Sequence, residues 1–184
     1  MIHPPRQTPP MESLTIEQRT VIHRLLLGEN IFLTGGGGVG KSYLLSILFQ
    51  HYSALKQRLT PAAKPTRIRM TALTGCAALL LGHHTKTIHS WAGIGLGKGS
   101  IPELYSKIRK NGRAMIHWLT TDLLVIDEIS MMTAELLDKL NELGKKIRHN
   151  RAPFGGIQLL LVGDFYQLPP VNKGNEPTMF AFES

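Results

Sequence analysis

Gly35-Gly36-Gly37-Gly38-Val39-Gly40-Lys41-Ser42 lies between a short apolar run, Ile31-Phe32-Leu33-Thr34, and an apolar stretch that starts Tyr43-Leu44-Leu45-Ser46-Ile47-Leu48. It fits the phosphate-loop pattern G-x-x-x-x-G-K-[ST] in the context that pattern requires, a strand running into a helix. The glycines let the chain turn its N–H groups inward around a phosphate with no Cβ in the way, and the helix that follows adds the positive end of its dipole. Lys41 is placed to reach the β- and γ-phosphates and the Ser42 hydroxyl to ligate Mg²⁺. A flexible glycine linker has no need of Lys-Ser directly followed by an apolar helix.

The 184 residues suffice for one domain with a full core and are too few for two large ones. With 42% hydrophobic and 18% charged residues the composition is that of an ordinary globular protein, and no run approaches a membrane span. A single cysteine, Cys76, leaves no internal disulfide and no cysteine-rich zinc site, so a reducing, intracellular compartment is expected. The net charge of +8 is unevenly spread. Residues 30–102 contain no Asp or Glu but hold Lys41, Lys56, Arg58, Lys64, Arg67, Arg69, Lys86 and Lys98. That asymmetry points to polyanionic partners, first a nucleotide and then a nucleic acid, although any one of these side chains taken alone reads as surface solvation.

Along the chain, residues 1–13 are proline-rich and aperiodic and read as a disordered lead-in, with the ordered domain from 14 to 184. Thr15-Ile16-Glu17-Gln18 opens a helix that runs to about Leu27 and stops at Gly28, its buried stripe formed by Ile16, Val21, Ile22, Leu25 and Leu26. Gln18 has two possible roles: it closes a capping box on Thr15, or its amide reads an adenine edge. The helix after the phosphate loop is expected to end near Leu55, with a basic connection over 56–64. A strand over 67–71 then leads through Thr74-Gly75 into a small-residue helix over 76–81, a second arrangement that offers backbone N–H groups and a hydroxyl at a sheet edge. Cys76 reads as a small packed hydrophobe, since nothing near it would activate a nucleophile.

The segment 83–91 has three histidines but no carboxylate or cysteine to complete a metal site, and reads as a solvent-facing polar loop. Alternatively His89, Ser90 and Trp91 contact a nucleic-acid strand. A glycine-rich loop over 93–100 and short helices over 101–111 and 113–119 follow, with Trp118 and Met115 as packing residues. Leu123-Leu124-Val125-Ile126 is the apolar run of a strand buried on both faces, and it ends in Asp127-Glu128. Asp127 would hold the water shell of Mg²⁺ and Glu128 would act as general base on an attacking water. A helix over 134–148 and a turn over 150–156 lead to a last buried strand, 158–162. Beyond it Gln167 is placed to sense a γ-phosphate. Alternating strands and helices predict a parallel sheet with helices on both faces, and on such sheets ligands bind at the carboxyl ends of the strands.

These segments together resemble the first motor domain of the PIF-one family of superfamily-one DNA helicases, the RecD-like branch. The resemblance is carried by Leu14 to Gln18, the phosphate loop, Thr71-Ala72-Leu73-Thr74-Gly75-Cys76-Ala77-Ala78, Thr87-Ile88-His89-Ser90-Trp91-Ala92-Gly93-Ile94-Gly95, Val125-Ile126-Asp127-Glu128-Ile129-Ser130-Met131 and Gly163-Asp164-Phe165-Tyr166-Gln167-Leu168-Pro169-Pro170-Val171. Leu137-Asp138-Lys139-Leu140 and Pro153-Phe154-Gly155-Gly156-Ile157-Gln158 resemble the segment that sets this family apart. The resemblance implies a RecA-like P-loop NTPase fold, ATP hydrolysis with Mg²⁺, and 5′-to-3′ movement on single-stranded DNA in repair and recombination. It favours the adenine-reading role for Gln18 and puts Thr74, Gly75 and His89 on the DNA side. Trp91 stands where the family usually has Phe, and Cys76 where a small aliphatic is common. The family's second RecA-like motor domain, which supplies an arginine to the ATP site, has no counterpart in this sequence. Arg148 and Arg151 are available but lie in the family-specific segment. The competing expectation is a nucleotide- or DNA-binding regulatory module without turnover. A small-molecule phosphotransferase fits less well, because Asp127-Glu128 suits activation of water.

Overall fold

The computed structural model describes residues 13–62, 64–82 and 84–164. Its centre is a five-stranded sheet in the order β1-β5-β4-β2-β3, every pair parallel: β1 (Ile31–Thr34), β2 (Ile68–Ala72), β3 (Lys86–Thr87), β4 (Leu123–Asp127) and β5 (Gln158–Gly163). Parallel strands need crossovers, and the helices that supply them cover both faces. Side-chain alternation divides the core in two. Leu123, Val125, Leu160 and Val162 face the cluster with α1 (Ile16–Leu26) and α2 (Lys41–Leu59), while Leu124, Ile126 and Leu159 face the cluster with α4 (Ile88–Ala92), α5 (Ile101–Arg109), α6 (Gly112–Thr120) and α7 (Ala134–Arg148). β4 is buried on both sides from Leu123 to Ile126, as its unbroken apolar run requires.

Most elements fall within a residue or two of the sequence expectation, and α7 has the bounds predicted for it. Four places differ. α2 continues to Leu59, so the first part of the expected connection is helix, and Lys56 donates from Nζ to the Leu26 carbonyl at the end of α1 (2.7 Å). Within the polar loop expected over 83–91, Lys86–Thr87 form β3 and α4 starts at Ile88, with Ile88 and Trp91 in the core. Thr87 caps α4, its hydroxyl accepting from the Ser90 N–H (3.2 Å), a signal hidden in a run of polar residues. In α1, Ile16 is 78% exposed at the first helical position, and the buried residues are Ile22 and Leu25. Cys76 is exposed rather than packed, because α3 (Gly75–Leu81) buries only Ala78.

The family-specific segment forms a brace under α7. The turn Pro153–Gly156, in which Phe154 and Gly155 have left-handed φ (51° and 65°), lays its backbone on Gly144, where a Cβ would stand 2.8 Å from the Phe154 carbonyl carbon and oxygen. Arg148 clamps the brace, donating from Nε to the Gly155 carbonyl (2.7 Å) and from a terminal nitrogen to the carbonyls of Trp118 (2.7 Å) and Thr121 (3.3 Å). Among the described residues no helix is long and apolar enough to cross a membrane.

Gly144→Ala must push α7 off this brace and is expected to destabilise the chain by about 1–3 kcal/mol. Gly112→Ala, where a Cβ meets nothing, should change stability by no more than about 0.5 kcal/mol. Urea unfolding of the two variants checks the contrast.

Candidate functional site

The phosphate loop is shaped as the sequence requires. Gly38 and Gly40 have positive φ (78° and 84°), and Gly40 is the N-cap residue of α2. No side chain caps that helix and its first turn holds no acid, so the N-terminal amides of a 19-residue helix are left for an anion. Lys41 is folded back into the loop and donates from Nζ to the carbonyls of Gly35 (2.5 Å) and Gly36 (2.8 Å). A Cβ added at Gly36, Gly37 or Gly38 would meet only open space, and Ser42 and Val39 are exposed at the same lip. Uncapped amides, an ammonium whose partners among the described residues are carbonyls, and an open cradle together fit a polyphosphate.

The acids lie on the same rim. β5 separates β1 from β4, and the registers Thr34↔Gly163 and Ile126↔Leu161 bring all three carboxyl ends almost level. Asp127 therefore stands two strands from the loop, about 10 Å at the usual strand spacing. Burial, the largest influence, raises the Asp127 carboxyl above the ordinary aspartate value, with Glu128 adding to the rise, while the Glu128 backbone N–H and the Lys41 ammonium oppose it. Glu128 has φ +60°, a left-handed conformation that a non-glycine residue adopts at a cost. This turn swings the chain off β4 into the short helix Ile129–Met131, which packs on Gly163 so closely that a Cβ there would meet Ile129 Cγ2 at 2.7 Å. Next to it Asp164, the residue just past the end of β5, is only 4% exposed; nothing in its local sequence marks this carboxyl as buried. Gln167 lies outside the described residues, as does the lead-in up to residue 12.

Gln18 does the capping: its Oε1 accepts from the Thr15 N–H (3.1 Å) while the Thr15 hydroxyl accepts from the Gln18 N–H (3.3 Å). Its Nε2 donates to the Gly40 carbonyl (3.4 Å), joining α1 to the phosphate loop. Thr15, Gln18, Val21, Leu33, Val39 and Lys41 are among the residues that line a cavity of about 310 Å³ beside the loop.

The other end of the rim, past β2 and β3, carries Thr74, Gly75 and His89. The Thr74 hydroxyl accepts from the Ala77 N–H (3.1 Å) to cap α3, and Gly75 is exposed at its start. His89 is partly buried beside a cavity of about 340 Å³ that Lys98, Thr133 and Lys139 also line, and burial lowers its pKa. Trp91 is 1% exposed and so is no stacking platform for a base, which corrects that expectation. Arg148 is no free arginine either, since the brace uses it.

A family model described as PIF1-like helicase matches residues 13–184. The chain is 48% identical over 172 residues to the ATP-dependent DNA helicase PIF1 of Saccharomyces cerevisiae (strain YJM789), covering 93% of this chain and 19% of that protein. It superposes on the crystal structure of Pif1 helicase from Candida albicans with a TM-score of 0.79 at 46% identity, covering 93% of this chain and 36% of the other. Against a Bacteroides Pif1 helicase in complex with ADP-AlF3 and ssDNA the TM-score is 0.65 at 28% identity, covering 87% and 34%. The chain thus spans about a fifth of the length of the yeast relative and about a third of the two crystallised chains. The wound parallel sheet is a RecA-like P-loop NTPase fold, and the chain belongs to the PIF1-like helicase family.

Proposed function

We propose that this chain is the first motor domain of an ATP-dependent helicase that moves 5′-to-3′ on single-stranded DNA. The observation that carries the reading is the division of one rim: an uncapped helix terminus with Lys41 and the Asp127-Glu128 pair at one end, and Thr74, Gly75 and His89 at the other. The Bacteroides structure in complex with ADP-AlF3 and ssDNA supports placing both ligands on this fold. Magnesium-ATP, when bound, supplies the phosphoanhydride whose hydrolysis drives movement. Gly35, Gly36, Gly37, Gly38, Val39 and Gly40 would hold it by backbone N–H groups, and Lys41 would exchange its two loop carbonyls for phosphate oxygens. Ser42 and Asp127 would hold the metal and its waters. Glu128 would take a proton from the attacking water and Gln167 would sense the terminal phosphate. Gln18 already spends its amide oxygen on the cap, so reading adenine would use the rest of its amide or an opened capping box. The exposed thiol of Cys76 agrees with a reducing compartment.

A second RecA-like domain would add the remaining arginine and half of the DNA track. Without such an arginine, turnover falls by roughly 10³–10⁵. The 184-residue chain is therefore expected to bind ATP–Mg²⁺ yet show little ATPase with or without oligo(dT), while a version extended through a second motor domain is stimulated by it. Robust DNA-stimulated hydrolysis by the short chain would refute this account. A chain that stays inactive after extension would instead be a regulatory module.

Within the site, Lys41→Ala removes a charged hydrogen-bonding partner of the phosphates, about 1.5–3 kcal/mol, and should weaken nucleotide binding roughly 10- to 150-fold by calorimetry. Glu128→Gln in the extended protein should keep nucleotide binding and lower hydrolysis by about 10²–10⁴.

Asp127 separates function from stability. Its folded pKa is raised, so the protonated form is the better folded and the stability it contributes is lost as pH rises through that pKa. Asp127→Asn should raise the thermal midpoint at neutral pH without metal, with the gain vanishing below the unfolded value near 3.8, while abolishing Mg²⁺-dependent hydrolysis. A midpoint at pH 7 that is unchanged or lower would contradict the carboxylate's being held at a cost.

A further inference from the structure

The outer edge of the sheet carries a second basic site. Among the described residues β3 pairs only with Thr71 and Ala72 of β2, leaving Ile68–Met70 without a strand on that side, and beside this stretch lies a cavity of about 270 Å³. Phe49 of α2, Trp91 of α4 and His117 of α6 line it together with the basic side chains of Arg69, His84 and Lys86. Among the described residues no carboxylate lines it, in keeping with the acid-free span of residues 30–102. Arg69 and Lys86 both stand close enough to His117 to add to the fall in its pKa that burial, the largest cause, produces, against the opposing hydrogen bond to the Trp91 carbonyl. Positive charge thus gathers at one place with no counter-ion among the described residues.

Trp91 adds an independent sign. It is 1% exposed, its ring is stacked on His117 (6.5 Å between centroids, 5° between planes), and its indole N–H is buried without an acceptor among the described residues. Trp118, tilted against it, satisfies the same group by donating to the Ala92 carbonyl (3.0 Å). A buried donor left unpaired forfeits its hydration with nothing in return and calls for an unseen partner. Phenylalanine, which the family resemblance leads one to expect here, has no such donor.

We propose that this edge cavity binds a phosphate oxyanion, paired with Arg69 and Lys86 and accepting the indole N–H of Trp91, and that the phosphate belongs to the backbone of a DNA strand passing the outer edge of the sheet. Arginine suits the ligand because its planar fork matches phosphate oxygens. DNA is favoured over a free ion because Lys86 is three residues before His89, on the strand that leads into the helix bearing it. The choice of DNA rests on the motor reading above; the phosphate site does not.

The test follows the indole resonance of Trp91 in the ¹⁵N-labelled 184-residue chain, assigned by its loss in Trp91→Phe. It is titrated with oligo(dT) and, separately, with inorganic phosphate, while anisotropy reports oligo(dT) binding. The resonance should shift with oligo(dT) and cease to shift in the Arg69→Gln/Lys86→Gln variant. That variant should flatten the log K against log salt slope by about 0.7 per lost contact. Trp91→Phe, which keeps the aromatic packing and all charges, should weaken binding severalfold with the slope unchanged. A shift with inorganic phosphate alone would keep the site and overturn DNA as its source. If oligo(dT) binds but neither titrant moves Trp91, the site is refuted and the motor reading survives; if only inorganic phosphate binds, the reverse holds. A shift with oligo(dT) that persists in the double variant would also overturn the assignment.

Discussion

The molecule depends on two strands buried on both faces. β4 and β5 present alternate side chains to two separate cores, so neither can shift register by one residue without exchanging its whole apolar set between α1–α2 on one side and α4–α7 on the other. That constraint locks Asp127 at the end of β4 and brings Gly163 level with Thr34 of the phosphate-loop strand. Because all five strands are parallel, every carboxyl end opens onto one rim, and the loops that leave it share one surface.

The rim is under tension at the point where chemistry is proposed. Asp127 is held partly buried against the preference of its carboxylate, and Glu128 is held in a left-handed turn that packs the next helix on Gly163. Among the described residues Lys41 rests on loop carbonyls instead of a carboxylate, so a phosphate need break no ion pair there to reach it. Features of this kind weaken a fold taken by itself and are retained where a ligand supplies the missing charge. The brace beneath α7 works the other way, spending Arg148, Asn141 and Gly144 on rigidity far from the loop; the Asn141 side-chain oxygen accepts from the Phe154 N–H at 2.9 Å.

Sequence patterns with a local cause were legible. Phosphate loop, capping box, the apolar runs of β4 and β5 and the amphipathic α7 each follow from neighbours within a few residues, and all were found nearly in place. Misreadings came where polar composition masked tertiary burial. The segment 83–91 looks like solvent-facing loop because of its histidines and threonines, yet Ile88 and Trp91 are buried there through contact with helices later in the chain. Arg148 looked available because a guanidinium's partners, three carbonyls from separate turns, leave no trace in spacing.

From the order of residues alone came the family, the alternation that makes a parallel sheet, and the chemical types needed to hold a triphosphate; each is written in short-range spacing, which backbone geometry translates directly. Only the tertiary structure decided that β5 enters between the loop strand and the acid strand, that Gln18 links its cap to Gly40, and that Arg69, Lys86 and Trp91 meet at one edge. Those depend on which distant segments pack together, and packing is chosen by the burial of whole faces rather than by any neighbouring residue.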